Sequence, residues 1–185
     1  MWVVPNLAIL YSTTQRIKEA EATFQEALDI RRQLAKAHPA AYQPDVAVTL
    51  IYLANLYSAT QRMKEAEAAY REALDIYRQL AKANPAAYEP YVAVTLDNLA
   101  TMYLQAANPA EADIENREAV SINRERWRRN PVASGDDLAR SLIIASKVQS
   151  ESIAKCQLVH EAARIAQIAE FKELASQLMK NCPPP

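Results

Sequence analysis

The sequence predicts an all-α fold, an array of antiparallel helix pairs, and three observations carry that prediction. The 185 residues include 35 alanines and a single glycine, Gly135, against ten prolines. Alanine together with Glu, Lys, Arg, Leu and Gln favours helix, and one glycine cannot furnish the hairpins and bulges of a β-rich fold. The chain also repeats itself. YQPDVAVTL (42–50) returns as YEPYVAVTL (88–96), and the same shift of 46 lays Leu7–Val46 on Leu53–Val92 with 30 of 40 positions identical. Finally, apolar residues within each repeat recur at the spacing of two amphipathic helices.

In the best-defined repeat, Val46, Leu50, Leu53, Ala54 and Tyr57 share one face at helical spacing. Pro44 stands just outside this predicted helix, and Asp45 is read as its cap. The polar stretch 58–62 breaks the stripe. Met63, Ala66, Tyr70, Ala73, Leu74, Tyr77 and Leu80 then mark a longer second helix, whose acidic start and basic end suit the helix dipole. Asn84-Pro85 ends it, and AAYEP is read as a connection to the next repeat. Ala54, Ala66 and Ala73 are expected where helices cross closely, with Tyr57 and Tyr70 filling the remaining space. Each pair buries one face on its mate and another on the next pair, so no repeat is stable alone.

A further 46 residues on, YVAVTL (91–96) meets DLARSL (137–142). The chain is therefore read as one array over 1–182, with units at approximately 1–40, 41–86, 87–132 and 133–180 and a tail at 183–185. Pro5 replaces the counterpart of Ile51, which predicts a short first helix in the first unit. Pro109 is placed in a first turn capped by Asn108. Asp136-Asp137 after Gly135 reads as an N-cap, and HEAARIAQIAEFKELA as the second helix of the last unit after about four extra residues.

Composition excludes several functions. A single glycine cannot build a phosphate-cradling loop or a dinucleotide fingerprint. The formal charge of −1 gives no bulk basic footprint for nucleic acid. RERWRR (124–129) is basic, but it aligns with the basic end of every second helix, where cations offset the dipole. The apolar stretch from Val46 to Tyr57 is too short to span a bilayer, and the N-terminus lacks the marks of a signal peptide. Cys156 and Cys182 fit neither a disulfide framework nor a zinc spacing, so they are expected as free thiols in a reducing compartment, the cytoplasm. Cys156 and His160 make at most half of a metal site, and His160-Glu161 lacks a nucleophile or a polar pocket. Neither catalysis, a metal nor a cofactor is expected.

The spacing Leu7, Ala8, Tyr11, Ala20, Phe24, Ala27, repeated as Leu53, Ala54, Tyr57, Ala66, Tyr70, Ala73, resembles the tetratricopeptide-repeat signature. The strings VAVTLxxLAxLY and KEAEAxYxEALDI resemble its long-repeat variety, found in kinesin light chains. Asn116 departs from the pattern where an aromatic belongs, as does Gln149 where the tyrosine of a first helix would stand. The resemblance implies a right-handed superhelical solenoid whose first helices line a concave groove. It implies a protein-interaction scaffold that binds a peptide or helix of a partner there. Candidate peptide contacts are Thr49, Tyr52 and Asn55, then Thr95, Asn98 and Thr101, with Lys147 in the last unit; Asn6, Ile9, Ser141 and Ile144 share the same face. Asn55 and Asn98 lead, because an asparagine amide both donates to and accepts from an extended backbone. Lys147 is the main cation on this face, so a C-terminal carboxylate ligand is not favoured. The alternative is self-assembly into a homo-oligomer through apolar end faces.

Overall fold

A computed structural model of the chain describes residues 16–149, 152–180 and 182. Among these it contains α1 (Ile17–Ala37), α2 (Pro39–Ala59), α3 (Met63–Ala83), α4 (Pro85–Gln105), α5 (Pro109–Arg129), α6 (Pro131–Val148), α7 (Ser152–Ile165) and α8 (Ala169–Met179), with no strand. The all-α expectation holds. The repeat shift carries α1 onto α3 and α5, and α2 onto α4 and α6. The first five helices are each 21 residues long. Leu7, Ala8 and Tyr11, with Asn6, Ile9 and the short helix expected around Pro5, lie outside the described residues, as does the tail 183–185.

The chain forms two compact units, Met1–Tyr88 and Glu89–Pro185. In the first, α2 lies against both α1 and α3. Ala47, Ala54, Ala66 and Ala73 have no exposed surface, which lets these helices approach closely, and Tyr57 and Tyr70 are buried beside them. The alanine and tyrosine assignments therefore hold. In the second unit, α6 lies against α5 and α7, and α8 packs on α7 and more lightly on α6. Its core joins Leu138, Ala139, Leu142, Ile143, Ala162 and Phe171, with Trp127 packed at the edge. Each fully buried leucine contributes roughly 2 kcal/mol of transfer free energy to such a core.

Three boundaries differ from expectation. The AAYEP stretch is not a connection, because α2 begins at Pro39 and contains Pro44, as α4 begins at Pro85 and contains Pro90. Proline at the first helical position costs nothing, since its N–H would be unpaired there anyway. Pro44 removes the partner of the Ala40 carbonyl, but Ala40 is exposed and water can serve that carbonyl. A single residue, His38, Asn84 or Asn130, closes each second helix and opens the next first helix. Asn84 accepts from the Ala87 amide at 3.2 Å and Asn130 from Ala133 at 3.1 Å. Asn108 caps α5 as expected, accepting from Glu111.

Asp136-Asp137 is not an N-cap of its own helix, because α6 has already started at Pro131. The Asp136 carboxylate instead reaches the amides of Gln167 (2.6 Å) and Ile168 (3.0 Å), just ahead of α8. That reach depends on Gly135, where a Cβ would stand 2.9 Å from the Ile165 carbonyl oxygen. The helix expected across HEAARIAQIAEFKELA is accordingly broken at 166–168 into α7 and α8. Cys156 and Cys182 are not free thiols. They form a disulfide with a Cα–Cα distance of 5.4 Å, so the argument from free thiols to the cytoplasm loses its footing.

The turns inside the pairs use no glycine. Gln61 and Ala107, 46 positions apart, take the left-handed conformation at φ 62° and 55°. Each lets the next amide close the helix end: Arg62 donates to the Tyr57 carbonyl and Asn108 to that of Tyr103, both at 2.8 Å.

Candidate functional site

The candidate contact residues of the first unit lie on α2. Thr49 was expected to remain after core packing, but it is fully buried. Its hydroxyl donates to the Asp45 carbonyl at 2.7 Å, the usual i−4 bond of a helical threonine, and accepts from Arg31. Tyr52 and Asn55, three residues apart on one helix face, are half-buried. The Tyr52 ring stands 5.7 Å from that of Phe24, which fixes it from below. Asn55 accepts the Tyr70 hydroxyl at 2.5 Å through Oδ1, and among the described residues nothing takes up its Nδ2. Burial pushes the Tyr70 phenol well above its ordinary range, so it stays a donor to Asn55.

In the second unit Thr95 repeats the behaviour of Thr49: it is fully buried and donates to the Tyr91 carbonyl at 2.7 Å. Ser141 at the same register is also fully buried. Thr49 and Thr95 therefore leave the candidate surface, their hydroxyls satisfied within their own helix as they pack inward. Asn98 is half-buried, and among the described residues its amide makes no hydrogen bond. Thr101 is exposed and donates to the Asp97 carbonyl at 2.8 Å. Lys147 is exposed near the end of α6. Positions 52/55 and 98/101 thus repeat one pair on the first helices of the two units, whereas at 144/147 only Lys147 is exposed, because Ile144, expected on the same face, is buried in the core.

Beneath that face the second unit holds a buried polar network that sequence reasoning missed. The Asp97 carboxylate, 1% exposed, accepts from Ser141 Oγ at 2.7 Å and from Asn116 Nδ2 at 3.1 Å. The Arg140 Nε stands 3.4 Å from it. Asn123 donates to Ser141 Oγ at 3.0 Å, and Arg126 donates to both Asn123 (2.6 Å) and Asp137 (2.9 Å). Burial pushes the Asp97 carboxyl up to about 6, against the opposing pull of Arg140, Ser141 and Asn116. The signal was present in the repeat itself, since Asp97 stands where Ile51 does and Arg140 where Val94 does. A charge at a core register needs a charge or hydrogen-bonding partner nearby.

The four arginines of RERWRR each meet a carboxylate within the second unit. Arg124 pairs with Glu161 (2.7 Å), Arg126 with Asp137 (2.9 Å), Arg128 with Glu125 (3.3 Å) and Arg129 with Glu89 (3.3 Å). Trp127 packs at the core edge, where it is not presented as a stacking platform. Among the described residues, no group of three or more His, Cys, Asp or Glu side chains could hold a metal. Nor is any described helix long and apolar enough to cross a membrane. A concavity of about 410 Å³ lies between α1 and α3, with Leu28, Leu50 and Leu53 in its lining. Neither Tyr52 nor Asn55 lines it, and the Arg32–Glu72 ion pair at 2.5 Å crosses it.

A family model described as tetratricopeptide repeat matches residues 3–79 and, overlapping them, 45–125. No curated protein matches the chain. Among solved structures, the crystal structure of BtubC (BKLC) from P. vanneervenii is 14% identical, covering 89% of this chain and 83% of that one, with a TM-score of 0.45.

Proposed function

Because the chain belongs to the tetratricopeptide-repeat family, whose repeats mediate protein–protein interaction, we propose that it binds a peptide or helix of a protein partner on its first helices. The role is one of binding and not of catalysis. In the first unit the contact face is Tyr52 with Asn55; in the second it is Asn98 with Thr101 and Lys147. The observation that supports this reading is unused hydrogen-bonding capacity. Asn55 keeps its Nδ2 while Tyr70 holds its Oδ1, and the whole Asn98 amide is uncommitted among the described residues. An extended peptide offers alternating carbonyls and amides that suit such uncommitted amides. Tyr52, already fixed by Phe24, adds contact area at little entropic cost.

The test is a peptide-display selection on the purified chain beside an Asn55→Ala/Asn98→Ala variant. The expected result is a common motif bound by the parent and weakened by about ten- to a hundredfold in the variant, which removes two hydrogen-bonding side chains. The variant should keep its helical circular dichroism. Equal enrichment by both would move the site off these helices. No enrichment, with a size in solution that grows with concentration, would favour self-assembly instead.

A further inference from the structure

We propose that the Cys156–Cys182 disulfide is a redox latch on a detachable cap formed by α8. Within the two units a second helix is covered by the helix that follows it: α1 by α2 and α5 by α6. For α7 the covering helix is α8, which is 11 residues long where α2 and α4 have 21. It seals the end of the core with Phe171 and Ala175, helped by Leu174 and Leu178. A helix this short is marginal by itself and depends on its attachments.

Those attachments sit at its two ends. On the N-terminal side, Asp136 accepts from the Gln167 and Ile168 amides, and the Gln167 side chain donates to the Pro131 (3.2 Å) and Val132 (2.9 Å) carbonyls. All of these groups are exposed, so water competes for them. On the C-terminal side, the disulfide closes a separation of 26 residues from Cys156 on α7 to Cys182 beyond α8. The bond thus adds a covalent tie at the end of α8 opposite those hydrogen bonds. Cys156 is 5% exposed while Cys182 is more open to solvent, so an incoming thiolate meets the Cys182 sulfur first.

The exchange balances with a dithiol reductant. Its thiolate attacks the Cys182 sulfur, the Cys156 sulfur leaves and takes up a proton, and a mixed disulfide forms. The second thiol of the reductant, deprotonated, then displaces the Cys182 sulfur, which is protonated in turn. The protein gains two electrons and two protons as two thiols, and the dithiol leaves as a cyclic disulfide. With the loop open, α8 can undock while α4, α5 and α6 stay folded. The end of the α6–α7 layer is covered in oxidising surroundings and uncovered in reducing ones.

Hydrogen–deuterium exchange on the full chain tests this, comparing the oxidised protein, the protein in dithiothreitol and Cys182→Ser. Cys182 is the residue to change because it lies outside the helices, and Cys156 is kept because it is buried. On reduction, amides of 169–179 should exchange about thirtyfold to a thousandfold faster, the loss of a typical loop constraint. Amides of 138–148 should be unmoved. Cys182→Ser should show the fast rate without reductant and no further response to it, and oxidised glutathione should restore the slow rate in the parent. Three results would overturn the latch. One is labelling of both cysteines by a maleimide before any reduction. Another is an unchanged rate at 169–179. The third is equal acceleration across 138–148, which would make the bond a staple of the whole unit.

Discussion

The same repeat registers are filled with opposite chemistry in the two units. Ile51, Tyr70 and Tyr77 of the first unit correspond to Asp97, Asn116 and Asn123 of the second, while Val48 and Leu80 correspond to Arg140 and Arg126. From α1 to α6 the helices nevertheless begin at equivalent positions, and all but α6, which stops at Val148, also end at them. What the two units share is the set of small and leucine positions, such as Ala47, Ala93 and Ala139, all without exposed surface. The backbone course follows from how closely the helices approach at those alanines. The space left over accepts an aromatic filling or a polar one, provided each buried polar group finds a partner. Five separate apolar-to-polar exchanges would each be destabilising alone, yet together they form one connected network.

The contrast is sharpest at the ion pair. Arg140→Ala leaves a buried carboxylate without its countercharge and should destabilise the second unit by about 2–4 kcal/mol. The corresponding Val48→Ala in the first unit removes only part of a half-buried side chain and should cost about 1 kcal/mol. Urea titrations read by residue-level exchange in each unit would measure both; comparable costs would mean that the network is no more demanding than the apolar packing.

Acid is the next probe. Asp97 is raised from an ordinary 3.8 to about 6, so between those values the folded state binds more protons than the unfolded one. Stability of the second unit should therefore fall as pH rises from about 4 to 6, and change little above that through this group. The expected size is on the order of 3 kcal/mol, and Asp97→Asn should flatten the profile. A slope that survives in Asp97→Asn would assign it to another carboxylate. The first unit has Ile51 at this register and should lack this component.

The smallest expected effect is where the units agree. Gln61 and Ala107 both hold a left-handed conformation that glycine adopts without strain. Gln61→Gly and Ala107→Gly should each stabilise the chain by about 0.5–1 kcal/mol, read as a rise in the midpoint of thermal unfolding. A gain in one unit and a loss in the other would show that these turns are not equivalent.

Much of this was legible from the repeat. The helix pairs, the alanine crossings and the Asn108 cap all follow from local pattern, because a helix declares its buried face through spacing alone. Pro44 and Pro90 misled, since proline normally marks a boundary and here lies in the second turn of an exposed helix start. Thr49 and Thr95 looked polar and proved to be core, because a helix can satisfy a hydroxyl internally. Asp136 and the disulfide were not legible at all. Each joins groups about 30 residues apart through a break between α7 and α8 that no periodicity announces. The Asp97–Arg140 pair lay between: neither residue is informative alone, but their repeat counterparts Ile51 and Val94 are.

The one-residue junctions at His38, Asn84 and Asn130 carry a consequence for how such a chain changes over generations. A residue inserted there would turn the following helix by about 100° about its axis, swinging its leucines out of the core. No loop exists at that point to absorb the slip. The array can therefore drift in letters but scarcely in length, as its first two copies show by differing at ten of forty positions without a gap. Freedom to gain or lose residues is greater where several residues already separate two helices, as at 166–168. New lengths should accumulate at such breaks before they appear at the one-residue junctions.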